Sequence, residues 1–164
     1  MIDQEKFKSL LQKIEKAREA GSVDLSTEED LSIAIMNLLS LEEHFFFTGA
    51  KTGKSDYYDL LDEVRSVRKE LLARMIDKNE GETWCISKHL LAGTMRLIEV
   101  GTKLRSEGKK DEADDTYAKA YKIYSLFWAV RLKLIDASKI KKVTDDKPWT
   151  FEDIVNRLVD CCNE

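Results

Sequence analysis

The chain has 164 residues, 35% of them charged, with one proline, seven glycines and a formal net charge of -4. A chain of this length can bury a substantial core as one domain, and so few turn formers exclude a sandwich or barrel of short strands. Charges of both signs are interspersed and runs such as Lys139, Lys141 and Lys142 are short, which argues against a nucleic-acid surface.

Periodicity and punctuation predict six helices. The first runs from about Asp3 to Ala20, with Phe7, Leu10, Leu11, Ile14 and Ala17 on one face and Gly21 as its stop. The second opens at Ser26, where Ser26-x-x-Glu29 has the form of a capping box, and ends near Gly49. A third starts at Ser55 or Asp56 and continues to about Asn79. The fourth spans Thr83 to Arg105 and the fifth Asp111 to Leu134. The last begins at Thr150, where Thr150-x-x-Asp153 repeats the capping form and Trp149 staples onto Ile154. Its stripe is Phe151, Ile154, Val155, Leu158 and Cys162. Short loops between the long helices predict antiparallel neighbours. The expected fold is therefore all-α, with residues 1–164 as one domain: an up-down antiparallel helical bundle of four long core helices, with shorter N- and C-terminal helices.

Two charges fall on apolar stripes. Glu42 sits among Leu31, Ala34, Ile35, Leu38, Leu39, Leu41, Phe45 and Phe46, and Arg68 among Tyr57, Leu60, Leu61, Val64, Val67, Leu71, Leu72 and Met75. A buried charge costs several kcal/mol unless paired and hydrogen-bonded. By helical rise, Glu42 is expected level with Asp62 and Glu99, with Arg68 offset by ~9 Å and Arg96 by ~5 Å. Both arginines are thus candidate partners. Arg131 is a third cation on an apolar arc, beside the aromatic face of Tyr117, Tyr121, Tyr124, Phe127 and Trp128. Glu42, Arg68, Arg96 and Arg131 form the candidate site for a small anionic ligand, since arginine grips carboxylate or phosphate bidentately.

Two apolar strips wrap most of the fourth helix: Ile86, Leu90, Leu97, Val100 and Leu104, then Trp84, Leu91, Met95 and Ile98. The remaining arc carries Cys85, Lys88, His89, Ala92, Arg96, Glu99 and Lys103, a pattern that ordinarily faces water. Cys85 and His89, four apart, project to the same side and are candidate ligands for zinc or another transition metal. The other histidine, His44, is expected at the far end of the bundle, ~18 Å from His89. Glu42-Glu43-His44 is not the Glu-x-x-His pair of di-iron bundles, because Leu41 and Ile86 stand three residues before the two histidines. It also lacks the third glutamate of the Glu-Glu-x-x-Glu pattern of all-helical nucleotide pyrophosphohydrolases, where Phe46 stands instead. Beyond this metal candidate, no cofactor is expected.

Three short resemblances fall in the chain. Thr48-Gly49-Ala50-Lys51-Thr52-Gly53-Lys54-Ser55 resembles a Walker A loop, but Thr48 replaces its first glycine and a helix precedes it where a strand is required. Gly49 as a helix stop and Ser55 as a helix start explain the same letters. His89-Leu90-Leu91-Ala92-Gly93-Thr94 resembles the phosphoacceptor motif of histidine phosphotransfer domains in Leu91 and Gly93, while Ala92 replaces that family's lysine. The stretch Leu97 to Ala120 resembles a single tetratricopeptide repeat at Leu97, Val100, Gly101, Leu104, Gly108, Ala113, Tyr117 and Ala120. That resemblance implies a tight hairpin, with Gly101 allowing close helix contact and Gly108 the turn. No second copy is visible.

The N-terminus lacks the charged-then-apolar order of a signal peptide, and no apolar run reaches membrane-span length. Three cysteines do not make a disulfide framework. The expectation is a cytoplasmic, soluble interaction or adaptor module, non-enzymatic, with a protein partner or a second copy of itself. The alternative is a bundle whose interior Glu/Arg/His site binds a small anion or a metal, with or without catalysis.

Overall fold

The computed structural model describes residues 26–76 and 82–134, together with 5, 8, 9, 11, 12, 15 and 16. Among them every regular element is an α-helix: α1 Ser26–Thr52, α2 Asp56–Ala73, α3 Thr83–Ser106 and α4 Lys110–Arg131. The seven described residues near the N-terminus are helical and exposed, within the predicted first segment. The predicted C-terminal helix, with Cys161 and Cys162, lies outside the described residues. Among the described residues no helix is long and apolar enough to cross a membrane.

The helix ends show which glycines act as stops. α1 runs through Gly49 to Thr52, so Gly49 is not the stop expected of it. Gly53 is: it takes φ +68° and its N–H donates to the Gly49 carbonyl at 2.9 Å, the single-bond left-handed cap. Gly49 instead lies where an added Cβ would stand 2.9 Å from the Tyr58 ring and 3.3 Å from Tyr57 Cβ. Its missing side chain is what lets α2 pack closely there. Ser55 precedes α2 as expected but makes no side-chain cap hydrogen bond.

α3 closes in a Schellman motif, with Gly108 at φ +80°, Lys109 N–H donating to Leu104 O and Gly108 N–H to Arg105 O. α4 ends the same way at Lys133, φ 56°, whose neighbour Leu134 donates to Ala129 O. The helix therefore stops at Arg131, short of the expected Leu134.

Both hairpins are antiparallel. In the first, Gly49 meets Tyr58; in the second, Gly101 meets Tyr117 and Arg105 reaches Asp114. Sequential antiparallel neighbours would also pair α2 with α3. Among the described residues the hairpins meet through α1 and α3 instead. Side chains of α4 also reach α1, with Ser32 Oγ and Tyr124 Oη 2.7 Å apart. Ser32 donates to the Glu29 carbonyl, so the tyrosine hydroxyl donates to the serine.

The core joins Ile35 and Met36 of α1 to Leu72, Met75 and Ile76 at the end of α2, Trp84, Cys85 and Leu91 of α3, and Phe127 of α4. It thus lies at the end of the molecule away from both tight loops. Toward the loops the stripes read from sequence come apart, leaving Phe46, Leu60, Ile98 and Val100 exposed, and Val67 is exposed on the outer side of α2.

The α3–α4 contact gives a sharp stability prediction. A Cβ on Gly101 would stand 2.6 Å from Tyr117 Cε1, whereas one on Gly93 meets nothing within 4 Å. Gly93→Ala is therefore expected to stabilise by roughly 0.5–1 kcal/mol through helix propensity. Gly101→Ala receives the same propensity gain but adds overpacking of about 1–3 kcal/mol, for a net loss. Urea unfolding of the two variants should give midpoints displaced in opposite directions; equal displacements would refute the close contact.

Candidate functional site

α1 and α2 bring Glu42 and Arg68 together directly. Arg68 Nε donates to Glu42 Oε1 at 2.7 Å and Nη2 donates to Oε2 at 3.2 Å. The arginine side chain is 1% exposed and the glutamate side chain 9%. A third residue, not singled out from sequence, completes the cluster: Arg65 Nε donates to Glu42 Oε2 at 3.0 Å. Two guanidinium charges against one carboxylate leave one surplus positive charge. Asp62, 4.0 Å from Arg65 Nη1, offsets it at the rim. The Arg65 side chain is 45% exposed, so the network runs from the interior to solvent.

Register explains why this pairing forms although level-counting put Arg68 ~9 Å from Glu42. Gly49 lies against Tyr57 and Tyr58. Glu42, seven residues earlier in an antiparallel hairpin, is thus level with residues 64 and 65 rather than Asp62. That shift of two to three residues, about 3–4.5 Å, brings Arg65 alongside and Arg68 within reach. Arg65 lies three residues from Arg68 and shares its face, which is the signal that reveals it.

The other candidates lie elsewhere. Arg96, expected to compete for Glu42, is turned to the surface, where Nη2 donates to Glu43 and Nη1 to Glu99 at 2.6 Å. Glu42 and Glu43 are neighbours 100° apart on α1, so one faces α2 and the other α3. The hydrogen bond from Arg96 to Glu43 holds that guanidinium above the ordinary arginine range, against a smaller opposing effect of burial. Arg131 bonds Glu28 at 3.2 Å, fourteen residues or about 21 Å along α1 from Glu42. Neither arginine joins the interior network.

Cys85 is 1% exposed in the apolar core, while His89 is exposed. Among the described residues no group of three histidine, cysteine or acidic side chains converges on a point, so the pair gains no further ligands there. His44 is exposed beside Phe45, with ring centroids 6.2 Å apart. Of the aromatic face, Phe127 is buried and packs with Tyr124 and Trp128, Tyr117 covers Gly101, and Tyr121 is 73% exposed. That face is mainly packing.

Both Glu42 oxygens already accept arginine N–H groups. The chemistry open to this arrangement is charge bracing of the α1–α2 hairpin. An open depression of about 490 Å³ lies beside Arg65, lined by Asp62, Arg65, Ser66, Lys69, Glu70 and Ala73, with both signs of charge. Compared with known proteins, the chain matches no family model, no curated protein and no solved structure.

Proposed function

We propose that this chain is a non-enzymatic protein-interaction module working as one helical domain in the cytoplasm, with the Glu42–Arg68–Arg65 network as its internal brace. The observation that carries this reading is the saturated Glu42 carboxylate, whose oxygens are both taken by arginine donors. A site built to bind or transform a small molecule keeps polar groups open to it. Large apolar side chains meanwhile stand half exposed, among them Phe46 and Phe47, whose rings meet edge to face at 5.2 Å. Grouped apolar exposure is how partner surfaces present themselves.

Photo-crosslinking in cells tests the proposal, with the reactive group placed in turn at positions 46, 60 and 67. A discrete adduct of defined mass, retained when Glu42→Leu and Arg68→Met are combined, is the expected result. Loss of every adduct in that double variant while it stays folded would make the network itself the working site. Absence of any adduct from the three positions would sink the interaction reading.

The depression beside Arg65 favours a second reading, in which a small anion contacts Arg65 and Lys69 from solvent. Phosphate titration followed at the Arg65 side-chain N–H resonance checks it. A saturable shift abolished by Lys69→Gln supports it, and no shift at tens of millimolar rejects it.

A further inference from the structure

α2 carries a second apolar line besides the one that meets α1. Tyr57, Leu60, Val64, Val67 and Leu71 are spaced alternately three and four apart, as in the seam of a coiled coil. Leu60 and Val67 are 47% and 50% exposed, Tyr57 and Val64 are half-buried, and Leu71 at the far end packs against the core. At the α1 edge of this line Tyr57 packs against Phe45, with centroids 6.3 Å apart. Along its outer edge run Asp56, Glu63 and Glu70, one per heptad and all exposed. Among the described residues no ion pair engages these three.

The cations of the same stretch are directed elsewhere. Arg65 and Arg68 are bound to Glu42, and Lys69 lines the depression. Glu70 also borders that depression, whose lining carries both signs, while the outer edge of the seam itself carries acidic side chains alone at positions 56, 63 and 70. A helix laid on such a seam buries its own apolar positions against Leu60 and Val67, and its flanking charges then face the acidic row. A basic flank is attracted there and an acidic one repelled.

Resting on the reading of this chain as an interaction module, we propose that the exposed seam of α2 docks an amphipathic helix of a partner protein whose flanking residues are lysine or arginine. The test uses the full 164-residue chain and two synthetic helices of about three heptads with leucine at the seam positions. One carries lysine at the flanks, the other glutamate. Binding is read by fluorescence anisotropy, and its location by amide shifts.

The lysine helix is expected to bind at least about tenfold more tightly than its glutamate twin, weakening as salt is raised. Its shifts should centre on residues 57–71. Glu63→Lys with Glu70→Lys should reverse the preference. Leu60→Asp with Val67→Asp should abolish binding while helical content is kept, since both side chains are exposed. Equal binding of the twins, or shifts centred on another helix, would overturn the proposal. So would protection of the seam in the peptide-free chain, either by residues 1–25 or by a second copy seen as concentration-dependent sedimentation. Adducts from position 46 with none from 60 or 67 would overturn this surface while leaving the interaction reading intact.

Discussion

Glu42→Leu is expected to destabilise the protein by about 3–5 kcal/mol, the range for removing one partner of a buried ion pair. Arg68 is 1% exposed and uses two of its nitrogens on Glu42. Removing the carboxylate strips a buried guanidinium of its bidentate counter-charge, and helix α2 must shift to let water reach it. Arg65 behaves differently because its side chain is 45% exposed; Arg65→Ala should cost no more than about 1 kcal/mol.

The combined Glu42→Leu, Arg68→Met variant removes both charges and keeps apolar bulk between Leu61 and Leu72. It is expected to return to within about 1 kcal/mol of wild type or to exceed it, because desolvating two ions offsets most of their attraction. Urea denaturation at unchanged slope measures all three variants. A single-variant loss under roughly 1 kcal/mol would mean that Glu42 and Arg68 are not a buried pair in solution.

The second large effect is Phe127→Ala, expected to cost about 3–5 kcal/mol by loss of buried area and creation of a cavity. Phe127 is fully buried, stacked on Tyr124 at 6.2 Å and edge to face with Trp128 at 5.5 Å. It is the α4 member of the core that also holds Ile35, Leu72 and Leu91. Its loss is felt by all four helices. Tyr121 lies on the same predicted aromatic face but is 73% exposed, so Tyr121→Ala should change stability by no more than about 0.5 kcal/mol. Thermal unfolding of the pair discriminates the two roles. Comparable losses would show that the aromatic face packs along its whole length.

Much of the local structure was legible because it depends on near neighbours. α1 starts at Ser26 and α3 at Thr83, as expected, and the end of α1, the start of α2, the end of α3 and both ends of α4 fall within three residues of their expected places; α2 is the exception, ending at Ala73, six residues before Asn79. Gly101 lies against Tyr117 and Gly108 takes the left-handed conformation of the turn. Misassigned ends have local causes that periodicity does not contain. Gly49 reads as a stop, yet the left-handed cap forms four residues later at Gly53. Lys133 adopts the left-handed conformation without being glycine.

The candidate site was legible as an anomaly and not as an arrangement. Glu42 and Arg68 stood out because charges interrupt apolar stripes, and both are buried. Their partners depended on register. Arg96 was matched to Glu42 by level, but a rotation of one residue along α1 gives it Glu43 instead. Arg65 went unnoticed because its own position carries no anomaly: it is exposed, and only its neighbour's burial makes it part of the network.

The sequence by itself determined that the described parts of this chain are helices, where most of them begin and end, and which two charges had to be accommodated inside. Those properties follow from propensity, capping and burial cost, each set within a few turns of chain. Only the tertiary structure decided that α1 rather than α2 carries the second hairpin, that Arg65 and Arg68 share Glu42, and that Leu60 and Val67 of the α2 apolar stripe face outward. A stripe wider than one contact can be buried on either of its sides. The glycine-mediated approach of Gly49 to Tyr57 and Tyr58 sets the register, and with it the side chosen.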